Sequence, residues 1–235
     1  MKRELLYKGK AKQVFLTDNP NEVILAYQDQ TTAFNGKKTK KIKGKGRFNN
    51  LISAQIFDYL ASKSLPNHFI KRLTETEQLV EKTQMIPLEV VVRNLATGSI
   101  VERLGFNEQT VFHPELIELY YKNDRLDDPI INDQHALLLA NITQSELDDI
   151  KKNAVKINEL LKALFKKVGV QLVDFKLEFG RNQAGDVILA DEISPDSCRL
   201  WDLETGASLD KDVFRKGTGE LLPVYQEILN RLGEI

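Results

Sequence analysis

Val173-Asp174-Phe175-Lys176-Leu177-Glu178-Phe179 alternates without a break between apolar and ionisable side chains, which is the period of a β-strand. On a regular strand Val173, Phe175, Leu177 and Phe179 share one face, while Asp174, Lys176 and Glu178 share the other. A solvated face is the ordinary account of such an ionic row. The next residues argue for more. Gly180 to Asp186 forms a turn pattern leading into the apolar run Val187 to Ile193, together a β-hairpin. Any register that pairs Glu178 with an odd-numbered residue brings Asp191 to the ionic face. Two carboxylates so placed repel unless a proton, a cationic side chain or a divalent metal lies between them. A Mg²⁺ that keeps waters and nucleotide phosphates needs only one or two protein carboxylates. The hairpin therefore predicts Mg²⁺ at Glu178 and Asp191, with a plain Lys176 ion pair as the competing account.

Upstream of the hairpin, Thr143-Gln144-Ser145-Glu146 is a capping-box pattern. Leu147, Ile150, Ala154, Ile157, Leu160, Leu161, Leu164 and Val168 continue it as one apolar stripe ended by Gly169, which predicts a long amphipathic helix. Ser99 to Leu104 reads as a short helix stopped by Gly105, and Asp124 to Asp133 as a loop. Pro87 to Arg93 and Leu79 to Lys82 read as strands. Phe48 to Leu60 has helical spacing, with Pro66 as its stop. The lysine run Gly36 to Arg47 reads as a loop with almost nothing to bury. Leu5 to Lys8, Gln13 to Leu16 and Glu22 to Tyr27 are turn-broken β runs, and about Leu222 to Leu232 a closing helix. The expected fold class is α+β with mainly antiparallel sheets, divided near residues 82 to 87.

Bulk composition excludes several classes. The 235 residues carry 33 Lys plus Arg against 34 Asp plus Glu, a net charge of −1, which does not suit a generic polyanion binder. The lysine run lacks the interleaved aromatics of a nucleic-acid surface, so an RNA-binding regulator ranks far below an enzyme, and no nucleic-acid partner is expected. A single cysteine, Cys198, gives no internal disulfide and no argument for an oxidising compartment. No apolar run reaches the length of a signal peptide or a bilayer span; the cytoplasm is the expected setting, without membrane contact. His68, His113 and His135 are scattered and assigned to packing or surface. With no GxxxxGK[ST] motif, any ATP site is not a P-loop.

Further segments carry a resemblance. They are Tyr7-Lys8-Gly9-Lys10-Ala11-Lys12, Thr32-Ala33-Phe34-Asn35-Gly36, Pro87-Leu88-Glu89-Val90-Val91-Val92-Arg93-Asn94 with Gly98-Ser99, Lys122-Asn123-Asp124 with Asp128-Pro129, the strand from Asp174 to Gly180, and Asp191-Glu192-Ile193-Ser194-Pro195-Asp196 with Arg199-Leu200-Trp201-Asp202. In this order, along nearly the whole chain, they resemble the phosphoribosylaminoimidazole-succinocarboxamide synthase (SAICAR synthetase) family in its short bacterial form. The resemblance implies two lobes, residues 1–82 binding nucleotide phosphates and residues 83–235 binding metal and substrate, with a nucleotide mode related to the ATP-grasp and kinase types.

The implied activity is an ATP-dependent ligation. The carboxylate of 5-amino-1-(5-phosphoribosyl)imidazole-4-carboxylate is activated as an acyl phosphate, then captured by the amine of L-aspartate. The products are SAICAR, ADP and phosphate, in de novo purine biosynthesis. A small-molecule kinase with the same Mg²⁺ site is the alternative. The implied ATP contacts are Lys10 and Lys12 for the triphosphate and Glu81 to Met85 for adenine, with Glu178 and Asp191 at the metal. Arg93 and Ser99, beside the Gly98 turn, suit the ribotide phosphate, with Arg199 as a third ligand. The competing account pairs Arg93 with Glu89 and Arg199 with Asp202 as structural ion pairs. Lys176 neutralises the developing acyl phosphate, and Asp174 and Asp196 contact the substrate amine or the imidazole. A homodimer is implied by the resemblance alone.

Overall fold

The computed structural model describes residues 4–33 and 38–233. Phe34 to Gly36 of the quoted motif, Lys37 of the lysine run and the first three residues lie outside the described residues. Strands β1 (Leu5–Lys8), β2 (Lys12–Leu16) and β3 (Glu22–Tyr27) form the meander that their turn-broken runs predict. The lysine run is not one loop. Within it β5 (Lys38–Lys41) pairs with β4 (Gln30–Ala33), and helix α1 (Lys45–Ser62) starts before the run ends. A two-stranded ribbon tolerates lysines on its edges because they block further pairing. Helix α1 stops ahead of Pro66: Ser64 takes a positive φ of 58° and donates its N–H to the Ala61 carbonyl, an αL ending that needs no proline. Strands β6 (Phe69–Arg72) and β7 (Glu77–Glu81) complete a sheet in the order β1-β2-β3-β7-β6.

The rest of the chain builds a second sheet and its helices. In order come β8 (Gln84–Met85), β9 (Leu88–Leu95), α2 (Ser99–Leu104), β10 (Val111–Tyr121), β11 (Ile130–Ile131), α3 (Asp133–Leu139), α4 (Gln144–Lys167), β12 (Val170–Arg181), β13 (Val187–Ala190), β14 (Cys198–Asp202), α5 (Asp212–Lys216) and α6 (Leu221–Leu232). The sheet runs β11-β10-β9-β12-β13, and β12 pairs with β14 and β8 as well. Every pairing among these strands is antiparallel, so the α+β expectation holds. Two of these elements escape a sequence reading for identifiable reasons. The run of β10 is interrupted by Pro114, which stands where its register with β9 shifts between Val111 and Leu116, the kind of place a strand accepts proline. The loop expected from Asp124 to Asp133 holds a 3₁₀ turn and β11, whose two residues are too short to show a period.

The deciding strand is central, and it is not regular. Its register with β14 shifts between Leu172 and Asp174, a bulge that resets which residues share a face. Val170 and Leu172 therefore join Phe175, Leu177 and Phe179 in the main core, whereas Val173, fully buried, lies outside that cluster. Packed on the same core are α4, through Leu147, Ile150, Ala154, Ile157, Leu161 and Leu164, and α1, through Phe48, Ile52, Ile56, Phe57 and Leu60. Val23, Leu25, Tyr27 and Val80 make a smaller core in the first sheet.

Helix α4 begins as its sequence predicts. The Thr143 hydroxyl accepts from the Glu146 N–H, and the Glu146 carboxylate accepts from the Thr143 N–H at 2.7 Å. Replacing Thr143 by Ala removes half of this reciprocal cap and should lower stability by about 1 kcal/mol, read as a shift in the urea midpoint at unchanged m-value.

Candidate active site

Two cavities open beside β12. The first, of about 410 Å³, lies between the first sheet and the β12–β13 hairpin. Its apolar wall comes from Leu6, Val14, Val23, Leu25 and Val80, and its rim includes Glu81 and Met85. Its polar side gathers Lys10, Lys12, Lys122, Lys176, Glu178 and Asp191. A flat apolar ring and a string of phosphates together match this division.

Asp191 arrives there by a different route from the one expected. Glu178 pairs with Ala190, an even-numbered residue, so strand parity alone would turn Asp191 to the opposite face. Instead β13 ends at Ala190 and Asp191 takes a positive φ of 62°, which turns its carboxylate into the cavity. There it accepts from Lys12 Nζ at 2.5 Å. Burial pushes the Asp191 carboxyl up, but Lys12, Lys176 and Lys122 outweigh it and hold the group well below the carboxylate range. Burial likewise opposes the charge on Lys12, yet Asp191 and Glu192 keep it above the usual lysine range. The neighbouring Glu192 is raised, by burial first, against Lys12 and with Asp191 and Asp196 adding to the rise.

Glu178, 2% exposed, is held by Lys122 and by Lys176 at 2.6 Å, and Lys176 also donates to Glu89 at 2.8 Å. Half-buried, Lys176 loses some hydration of its charge, yet it stays protonated far above the usual range because Glu178, Glu89 and Asp191 surround it.

The second cavity, of about 480 Å³, is lined by Arg93, Ser99, Asp174, Asp196, Arg199 and Arg215, among others. Asp174 is the anchor: one oxygen, Oδ2, accepts from Arg93 Nη1 at 2.8 Å and from Arg199 Nη1 at 2.7 Å. Arg93 also donates to Glu118 at 2.7 Å and faces the Ser99 hydroxyl at 3.3 Å. It does not pair with Glu89, because four residues along a strand span roughly 13 Å. Arg199 pairs with Asp212 rather than with Asp202, which is held by Arg231. Gly98 is required here: with φ at 62°, a Cβ on it would stand 2.7 Å from Arg199 Nη2. Cys198 is buried at the wall, and burial pushes its thiol far up, which leaves it unreactive.

The cavities meet. Lys10, Glu89, Asp128 and Lys176 line both, so a group in one can reach a group in the other across these four side chains. Every site residue named from the sequence lines one cavity or the other. Glu89, Lys122, Asp128, Arg215 and His68 join them without having been singled out for the site. Glu89 was within reach of the same alternation argument, since Glu89, Val91 and Arg93 share a parity and all line the second cavity. No local pattern marks His68.

Asp196 is more enclosed than a substrate contact needs to be. Its Oδ2 takes Lys45 and, at 2.9 Å, Asn49; its Oδ1 takes the Tyr225 hydroxyl at 2.5 Å. Lys45, expected from its neighbours to sit in a solvated loop, has no exposed surface and also donates to the Gln30 carbonyl at 3.2 Å.

Known proteins share both the sequence and this architecture. The family model for SAICAR synthetase matches residues 5–232. A phosphoribosylaminoimidazole-succinocarboxamide synthase of Oceanobacillus iheyensis is 57% identical over 233 residues, covering 99% of this chain and 98% of that protein. The crystal structure of the synthase of the same name from Ehrlichia chaffeensis superposes with a TM-score of 0.95 at 47% identity, covering 99% of each chain. A SAICAR synthetase solved in complex with ADP superposes equally well, at 46% identity and with 99% and 98% of the two chains covered.

Asp196→Asn strips the counter-charge from a fully buried lysine and should destabilise the protein by about 3–5 kcal/mol, measured by urea unfolding at neutral pH. Burial pushes the Asp196 carboxyl up, but Lys45 and Lys211 hold it well below its ordinary value. Its contribution is therefore complete above about pH 4, the unfolded value, and is lost as pH falls below that. Between about pH 4 and 2 the stability of the Asn variant should fall less steeply than that of the unaltered protein.

Proposed function

We propose a function that proceeds from one fact: the chain belongs to the SAICAR synthetase family. It is an ATP-dependent ligase of purine biosynthesis, joining 5-amino-1-(5-phosphoribosyl)imidazole-4-carboxylate to L-aspartate. The observation that carries the residue-level reading is the junction of the two cavities at Lys10, Glu89, Asp128 and Lys176. ATP occupies the first cavity, with adenine on the apolar wall near Glu81 and Met85 and its phosphates along Lys10 and Lys12. The ribotide occupies the second, with its phosphate toward Ser99, Arg93 and Arg199. Asp174 positions the two guanidiniums and Asp196 fixes the loop that carries it.

In this arrangement an oxygen of the imidazole carboxylate attacks the γ-phosphorus, and the bond from that phosphorus to the ADP oxygen breaks. The aspartate amine then attacks the acyl carbon, loses a proton, and inorganic phosphate leaves. Both steps move negative charge across oxygens at the junction. Lys176 stands there already charged and oriented by Glu89 and Glu178, with Lys10 beside it, which stabilises that charge.

The lining of the nucleotide cavity favours a divalent cation. It presents seven carboxylates against five lysines, an excess of negative charge that a polyphosphate would worsen. Among the described residues no three His, Cys, Asp or Glu side chains converge on a metal position, but Mg²⁺ entering with phosphates needs fewer. Glu178 and Asp191 would hold it, with their lysines moving to the phosphates. Bound there, Mg²⁺ would neutralise phosphate charge.

Residues 1–82 serve as the lobe that binds nucleotide phosphates and residues 83–235 as the lobe that binds metal and substrate. The cytoplasm, on the family's biosynthetic role, and a homodimer, on the family resemblance, complete the reading.

A coupled ADP-release assay with ATP, Mg²⁺ and the carboxylated ribotide should depend on aspartate. Release that is indifferent to aspartate would mark a kinase and overturn the ligase. Glu178→Gln should abolish the metal-dependent part of nucleotide affinity, and unchanged affinity would overturn the Mg²⁺ assignment. Lys176→Met should lower kcat by roughly 10²–10³-fold in the same assay.

A further inference from the structure

The segment Pro66-Asn67-His68 lies against β13, outside the ladders of both sheets. Leu189 donates its N–H to the Pro66 carbonyl at 3.3 Å and accepts the His68 N–H at 2.9 Å. Beyond it, His68 Nε2 lies 3.1 Å from the Asp191 carbonyl oxygen. A carbonyl oxygen only accepts, so Nε2–H is the donor. On its other side the His68 carbonyl accepts the Glu81 N–H at 2.6 Å. His68 thus joins the nucleotide-facing end of β7 to the end of β13. It is 3% exposed, and its ring meets the Phe57 ring edge-on at 5.3 Å, so water does not compete for the hydrogen bond.

Asp191 is where such a hold matters. A φ of 62° is uncommon for any residue with a Cβ, although Asp reaches it more readily than most, and a contact that selects it fixes the turn. The conformation is also what aims the carboxylate into the cavity. A donor fixed on the Asp191 carbonyl sets the peptide plane between Asp191 and Glu192, and with it the backbone from which the carboxylate projects.

We propose that His68 is a positioning residue for the Asp191 carboxylate, its Nε2–H holding the backbone turn from which Asp191 engages the metal–nucleotide. The proposal rests on the assignment of Mg²⁺ to Glu178 and Asp191. Outer hydrogen bonds of this kind commonly govern metal affinity by 10–100-fold.

The test compares His68→Leu, which keeps an apolar filler and loses the donor, with His68→Gln, whose amide can return a donor near the Nε2 position. The readout is ADP binding, titrated with Mg²⁺ and without it, with no turnover involved. His68→Leu should weaken the Mg²⁺-dependent binding by about tenfold or more and leave metal-free ADP binding unchanged, while His68→Gln recovers most of the loss. Equal losses in both variants, or an equal loss of metal-free binding, would reduce His68 to packing and overturn the proposal.

Should His68→Leu not fold, the unaltered protein decides. Its ¹⁵N-labelled imidazole should show a slowly exchanging Nε2 proton, and a rapidly exchanging one overturns the proposal. Asp191→Asn run alongside separates the two readings. If it leaves Mg²⁺ dependence intact, the metal reading falls and this proposal with it; if it removes that dependence while His68→Leu does not, only the role of His68 falls.

Discussion

A carboxylate taken out of water has to meet a cation or a donor, and for three of the carboxylates here a partner comes from far along the chain. Asp191 meets Lys12 from 179 residues away, Asp196 meets Lys45 from 151, and Asp174 meets Arg93 from 81. Such pairs bring little net stability of their own, because desolvation cancels much of the attraction. Their effect is on geometry: a pair broken in the interior is costly, so the chain is confined to the arrangement in which all are made. Both cavities inherit their shape from that confinement. The first sheet is tied to the β12–β13 hairpin through Lys12, and α1 and α6 are tied to the Asp196 loop through Lys45 and Tyr225.

Much of the fold was legible because local chemistry and long-range packing agree. Helix α4 shows this best, with a capping box at one end, a glycine past the other and a stripe that faces the core throughout. The hairpin was legible as two strands and a turn. Its register was not, since the turn sequence permits more than one and the outcome depends on which side chains the core of the second sheet accepts. Parity led to Asp191 for a reason that does not hold, and the carboxylate reached the cavity through a positive φ at Asp191 instead. The bulge beside Asp174 was invisible for a similar cause: bulges answer to the neighbouring strand, here β14, and leave no periodic mark.

The site followed the same division. Ionic residues on strongly alternating strands could be found, and Glu89 was open to the same logic that found Arg93. Lys45 could not be separated from the lysines before it, because a lysine run looks solvated whichever member ends up inside. What marks Lys45 is its place at the start of α1, opposite an aspartate of the distant Ser194 to Asp196 loop. His68 carries no signal because its role is exercised through the backbone of another residue, and sequence patterns report side chains.

The burial of Lys45 also bears on how the protein is made. At about 5–20 residues per second, the ribosome adds Asp196 roughly eight to thirty seconds after Lys45. Through that interval the carboxylate that meets Lys45 in the folded protein is not yet in the chain, and the native seat of Lys45 in the core stays closed to it. The N-terminal strands can pair early. Docking of α1, and with it the joining of the two sheets around a nucleotide, belongs to the last moments of synthesis.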